Sequence, residues 1–113
     1  MGYIRHDAII ATSWNERYLQ PALLKARELG LPCSEIIPSG TNGYVSFLIA
    51  PDGSKEGWEK SYKGDDARSE WKEWANKEWT EHGFYVYWAH VSYAGDDPND
   101  TRIVEQSSRI DKP

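Results

Sequence analysis

The chain has 113 residues, enough for one domain with one modest core, and carries a net charge of −5 at neutral pH. That acidic balance argues against a reader of nucleic-acid backbone, which needs clustered Lys and Arg, and against docking on anionic membranes. The single cysteine, Cys33, excludes an internal disulfide framework and a cysteine-based zinc site.

The opening MGYIRHDAII holds no apolar run long enough for a signal peptide or a membrane span, so a soluble, cytoplasmic protein is expected. Residues 7–12 (DAIIAT) read as the first strand. Ser13 and Glu16 have the spacing of a capping box, although Pro21 disfavours a continuous first turn. Residues 22–29 form a helix core, and Gly30 is a natural stop. Residues 34–37 read as a short strand.

Residues 44–50 alternate cleanly, with Val45, Phe47 and Ile49 on one face and Tyr44, Ser46 and Leu48 on the other. The Pro51-Asp52-Gly53-Ser54 sequence that follows has turn chemistry. Asp65 and Asp66 suit a helix N-terminus. The run ARSEWKEWANKEW then places Ala67, Trp71, Trp74, Ala75 and Glu78 on one inward face. Arg68, Lys72 and their charged neighbours fall on a face expected to be solvated. Residues 84–93 (FYVYWAHVSY) carry apolar bulk on both faces and read as an interior strand. Residues 95–100 (GDDPND) make a turn, and residues 101–106 pair back as the last strand.

The expected order is β-α-β-β-α-β-β in a single domain, 1–113, with a loose tail at 107–113. Two helices on one face of one sheet give an α+β two-layer sandwich, approximately ferredoxin-like with an added hairpin strand.

No nucleophile elbow, zincin helix, P-loop or dinucleotide fingerprint is present. His90 on the strongest strand is a candidate base, and His6 a second; a hydrogen-bonded sheet histidine is the plainer reading of His90. The acidic turn at 96–100 lacks the spacing and closing glutamate of a calcium loop, so no metal and no cofactor are expected. Cys33 lacks an adjacent basic residue or histidine and reads as an inert thiol.

Residues 51–58 pose the sharper question. Lys55 stands between two glycines in a turn that ends in Trp58. As structure, this is only the end of a hairpin. As a site, Lys55 and Arg102 supply cations at strand ends, and Tyr44 or Trp58 supplies a stacking surface, the pairing that an anionic nucleotide-type ligand needs. With 13% aromatic residues, the chain also has more rings than a core of this size easily hides, which points to a homo-oligomer.

The segments GYIRHDAIIATSW, NGYVSFLIAPDGSKEGW and YAGDDPNDTRIVEQSS together resemble a family of short proteins carried by tailed bacteriophages. The resemblance covers most of the chain and transfers no site residue. It implies a context: small acidic phage proteins often counter host defences inside the bacterial cytoplasm. The leading expectation is a non-enzymatic protein that sequesters a nucleotide-derived immune signal. The first alternative is a direct inhibitor of a host defence protein, acting by acidic mimicry of nucleic acid. The second is a small enzyme that uses His90 or His6 on a phosphorylated substrate.

Overall fold

A computed structural model describes residues 5–54, 58–94 and 101–107. The elements are β1 (His6–Ser13), α1 (Glu16–Glu28), β2 (Ile37–Pro38), β3 (Val45–Ile49), α2 (Glu59–His82), β4 (Tyr87–Tyr93) and β5 (Arg102–Gln106). The strands form one antiparallel sheet in the order β2-β3-β1-β4-β5. Both helices pack on one side of it. The architecture is the α+β two-layer sandwich that the pattern predicts, with β5 added beside β4.

Strand register decides which side chains meet the helices. Ile9 lies opposite Ile49 on β3 and His90 on β4, and Ala11 lies opposite Phe47 and Trp88. These odd positions of β1 therefore share a face with Val45, Phe47 and Ile49. Under the helices they form the core with Leu19, Ala22, Leu23 and Ala26 of α1 and Trp71 of α2. The even positions of β1 point to the opposite face, which no helix among the described residues covers.

Several local expectations are corrected. The cap of α1 is Asn15, whose side chain accepts from Arg17 N at 2.9 Å. Ser13 makes no capping box: it ends β1, and its hydroxyl donates to the Tyr85 carbonyl at 2.8 Å and accepts from Asn15 N at 3.3 Å. The helix runs through Pro21. One backbone bond is lost there, but the buried face of Leu19, Ala22, Leu23 and Ala26 holds the helix on the sheet. It ends at Leu29, with Gly30 in the left-handed region at φ +82°. The second strand is two residues long and starts at Ile37, not at 34.

The largest correction concerns α2. It begins at Glu59, six residues before the acidic pair Asp65 and Asp66, so these lie inside the helix. Its buried positions are Ser61, Arg68, Trp71, Lys72 and Ala75. Arg68 and Lys72, expected in solvent, are 5% and 8% exposed. At the far end of the chain, Ser107 is buried, and its backbone N donates to the Trp88 carbonyl at 2.9 Å.

Candidate functional site

Two features converge at one end of the sheet: a row of buried charges beneath α2, and a cleft beside them.

The row begins on β1. Asp7 shares the helix-side face with Ile9, and His90 and Glu105 are paired residues of β4 and β5 on that same face. His90 Nε2 lies 3.0 Å from Asp7 Oδ1, and His90 Nδ1 lies 2.8 Å from Lys72 Nζ. An ammonium only donates and a carboxylate only accepts, so these partners assign the proton to Nε2 and the lone pair to Nδ1. Lys72 Nζ also meets Glu105 Oε1 at 2.8 Å. His90 is therefore a buried sheet histidine with both ring nitrogens engaged.

On the other side of Asp7 stands Arg68. Its guanidinium bonds Asp65 one turn earlier in α2, and lies 3.9 Å from Asp7 Oδ2 and 4.0 Å from Asp52 Oδ2. Burial alone would push the Asp7 carboxyl up. The hydrogen bond from His90 and the nearby Arg68 charge outweigh it, and the net shift is downward from 3.8. Asp52 behaves alike: burial raises it, while hydrogen bonds from Ser54 and the Arg68 charge bring it below 3.8.

Asp52 belongs to the turn that ends β3. Its Oδ1 accepts from Ser54 N at 2.9 Å and from Ser54 Oγ at 2.7 Å, which fixes the carboxylate and leaves Oδ2 facing α2. There α2 presents Gly64. A Cβ at that position would stand 2.6 Å from Asp52 Oδ2 and 3.3 Å from an Arg68 nitrogen. A glycine inside a helix costs about 1 kcal/mol against alanine. Here it admits the Asp52–Arg68 pair. Gly64→Ala should therefore destabilise the protein, by roughly 1–3 kcal/mol as overpacking does, where helix propensity alone predicts a gain. Chemical denaturation decides the sign.

The cleft, about 500 Å³ in volume, opens beside this contact. Leu29, Leu31, Pro32, Pro51 and Ala67 supply apolar walls; Gly30, Asp52, Lys60, Lys63 and Gly64 complete the lining. Lys63 pairs with Glu59 at 3.3 Å, but both side chains are more than 70% exposed, so the pair is weak and easily exchanged. Asp52 is drawn inward by Arg68 and Ser54 and also feels the Lys60 charge, so the cleft's edge carries two lysines against one carboxylate.

The sequence-predicted site residues are not all brought together. Lys55 lies outside the described residues. Trp58 is the N-cap residue of α2, two positions before Lys60, but does not line the cleft. Tyr44 precedes the opposite end of β3, about 20 Å of strand from Pro51. Arg102 is on β5, three strand positions from β3, roughly 14 Å across the sheet. The acidic turn at 96–100 also lies outside the described residues. Among those described, no three His, Cys, Asp or Glu side chains group to hold a metal, and no helix is long and apolar enough to cross a membrane. Burial raises the Cys33 thiol above 9.0, against an opposing influence of Arg27, so little thiolate forms at neutral pH.

Sequence reasoning missed Lys60, Lys63 and Gly64 as cleft residues. Their signal was the K-x-x-K spacing immediately after Trp58, readable only once the helix is started at Glu59. Comparison with protein-family models, characterised proteins and solved structures finds no match for this chain.

Proposed function

We propose that this protein binds a small anionic ligand of the nucleotide class in the cleft between the end of α1 and the first turns of α2, and sequesters it without turnover. The observation that carries the reading is the cleft itself. Its volume of about 500 Å³ is in the range of small-molecule sites, its walls are mostly apolar, and two lysines stand on one edge. A base or other flat group suits the apolar walls, and a phosphate suits Lys60 and Lys63. Trp58, two positions before Lys60, and Lys55, outside the described residues, flank the cleft in the chain without carrying the reading. Arg102 and Tyr44 are not needed for it. The resemblance to short phage proteins supports a role against host defence, with the ligand an immune signal and the protein acting as a homo-oligomer in the bacterial cytoplasm. Direct inhibition of a host defence protein is the second reading, favoured by the net charge of −5.

The test is calorimetric titration with cyclic dinucleotides, ADP-ribose and nucleoside diphosphates. Wild type should bind a member of the panel and release it intact on denaturation. Lys60→Ala and Lys63→Ala should each weaken binding about tenfold or more, as loss of a charge-assisted hydrogen bond does, while Lys77→Ala should not. Equal binding by all variants would place the site elsewhere. No binding by wild type would leave the protein-inhibitor reading in first place, and release of a converted product would favour the enzyme.

A further inference from the structure

Among the described residues no element covers the sheet face away from the helices, and its composition is unusual for a surface. Charged residues make up 27% of the chain, yet no described residue whose side chain lies on that face of the five strands is Asp, Glu, Lys or Arg. The register places Ile37, Leu48, Ile10 and Ile103 there, with exposures from 36% to 63%, while Tyr87 at the border of the face packs against Trp79 of α2 at 5.1 Å between ring centres. The Thr12 and Ser46 hydroxyls on this face bond each other at 2.8 Å. A solvated antiparallel face ordinarily alternates to polar residues; this one remains apolar.

We infer that this face is the contact between two copies of the chain, which pack sheet against sheet. Three observations choose that occupant. The first is area. Four strands about 4.8 Å apart and about six residues long outline roughly 400 Å² of sheet, to which the relief of the exposed side chains adds, an area of the order that each partner gives to a dimer contact. The second is charge. Two copies of net charge −5 repel unless their charges stay off the contact, and here they do. A strongly basic or acidic partner would instead be met by charged groups on the face. The third is shape. The face of a twisted antiparallel sheet can pack on a copy of itself about a two-fold axis, with the two sets of strands crossing at about 30°, as an isologous contact requires. The helix side, with its cleft, stays open, so this contact and ligand binding stand or fall separately.

Light scattering at tens of micromolar should give twice the 13.0 kDa of one chain. Ile10→Glu and Leu48→Lys, at partly exposed central positions, should halve that mass with far-UV circular dichroism unchanged. Leu24→Glu, 62% exposed on α1, should leave the dimer intact. If both central variants fail to fold, Ile103→Lys on β5 decides, since that side chain is 63% exposed. A wild-type monomer overturns the inference. So does a dimer that persists in every folded face variant, or one that Leu24→Glu dissociates. A monomer that dimerises only after residues 108–113 are removed also overturns it, because the chain's own tail then covers the face.

Discussion

Arg68→Met is expected to lower the unfolding free energy by about 3–5 kcal/mol, the usual cost of removing one partner from a buried ionic cluster. The side chain is 5% exposed and faces three carboxylates, those of Asp7, Asp52 and Asp65. Methionine replaces much of the lost volume, so the effect is electrostatic rather than a cavity. Asp7 and Asp52 are left mostly buried beside each other's charge. Adding Asp7→Asn to Arg68→Met should return part of the loss, which a double-mutant cycle in urea would read as coupling between the two sites. A single-variant cost below about 1 kcal/mol at constant m-value would show that water already solvates the cluster.

The same cluster fixes the acid limit of stability. Asp7 and Asp52 have carboxyls lowered from 3.8 in the folded state. The folded chain therefore holds its protons less tightly than the unfolded chain. The resulting stabilisation is fully present above the ordinary carboxylate range and is lost as pH falls through the lowered values. Melting temperature should thus fall steeply below about pH 4. In Arg68→Met the fall should be shallower, because the hydrogen bonds from His90 and Ser54 remain while the guanidinium charge is gone.

The sheet was legible because β3 and β4 alternate and their turns carry Gly and Pro. The faces of Val45, Phe47 and Ile49 followed from period two alone. The start of α2 was not legible. Gly64 looks like a breaker, and Asp65–Asp66 looks like a helix start, until Asp52 is known to fill the space of the missing Cβ. The charged row was hidden for a related reason. Periodicity sends Arg68 and Lys72 outward, and their partners come from β1, β4 and β5, far away in sequence. A trace was nevertheless present. Asp7 shares a face with Ile9, and His90 with Trp88, so two polar residues stood on core-facing strand positions. A polar group on such a face requires a partner, and a long cation on the covering helix is the simplest one.

Trp71→Ala is expected to cost about 3–5 kcal/mol, in the range for large-to-small core changes. Trp71 is 0% exposed and stands where both layers meet. Its indole packs edge-on against Phe47 at 6.3 Å and Trp88 at 6.1 Å between ring centres, which ties α2 to β3 and β4. Its Nε1–H donates to the Ala22 carbonyl at 2.9 Å, which ties α2 to α1. Alanine would remove the ring contacts and that bond together, and the rigid sheet beneath cannot close the space. For a chain of this size the melting temperature should drop by roughly 12–20 °C. Trp71→Phe separates the two contributions. It keeps most of the ring packing and loses only the donor, so it should cost roughly 1–2 kcal/mol. Equilibrium unfolding of both variants, followed by circular dichroism, measures the difference. If Trp71→Ala stays within about 1 kcal/mol of wild type, this helix face does not hold the two layers together. If Trp71→Phe costs as much as Trp71→Ala, the link to α1 through Ala22, rather than the aromatic cluster, is what fixes α2 on the sheet.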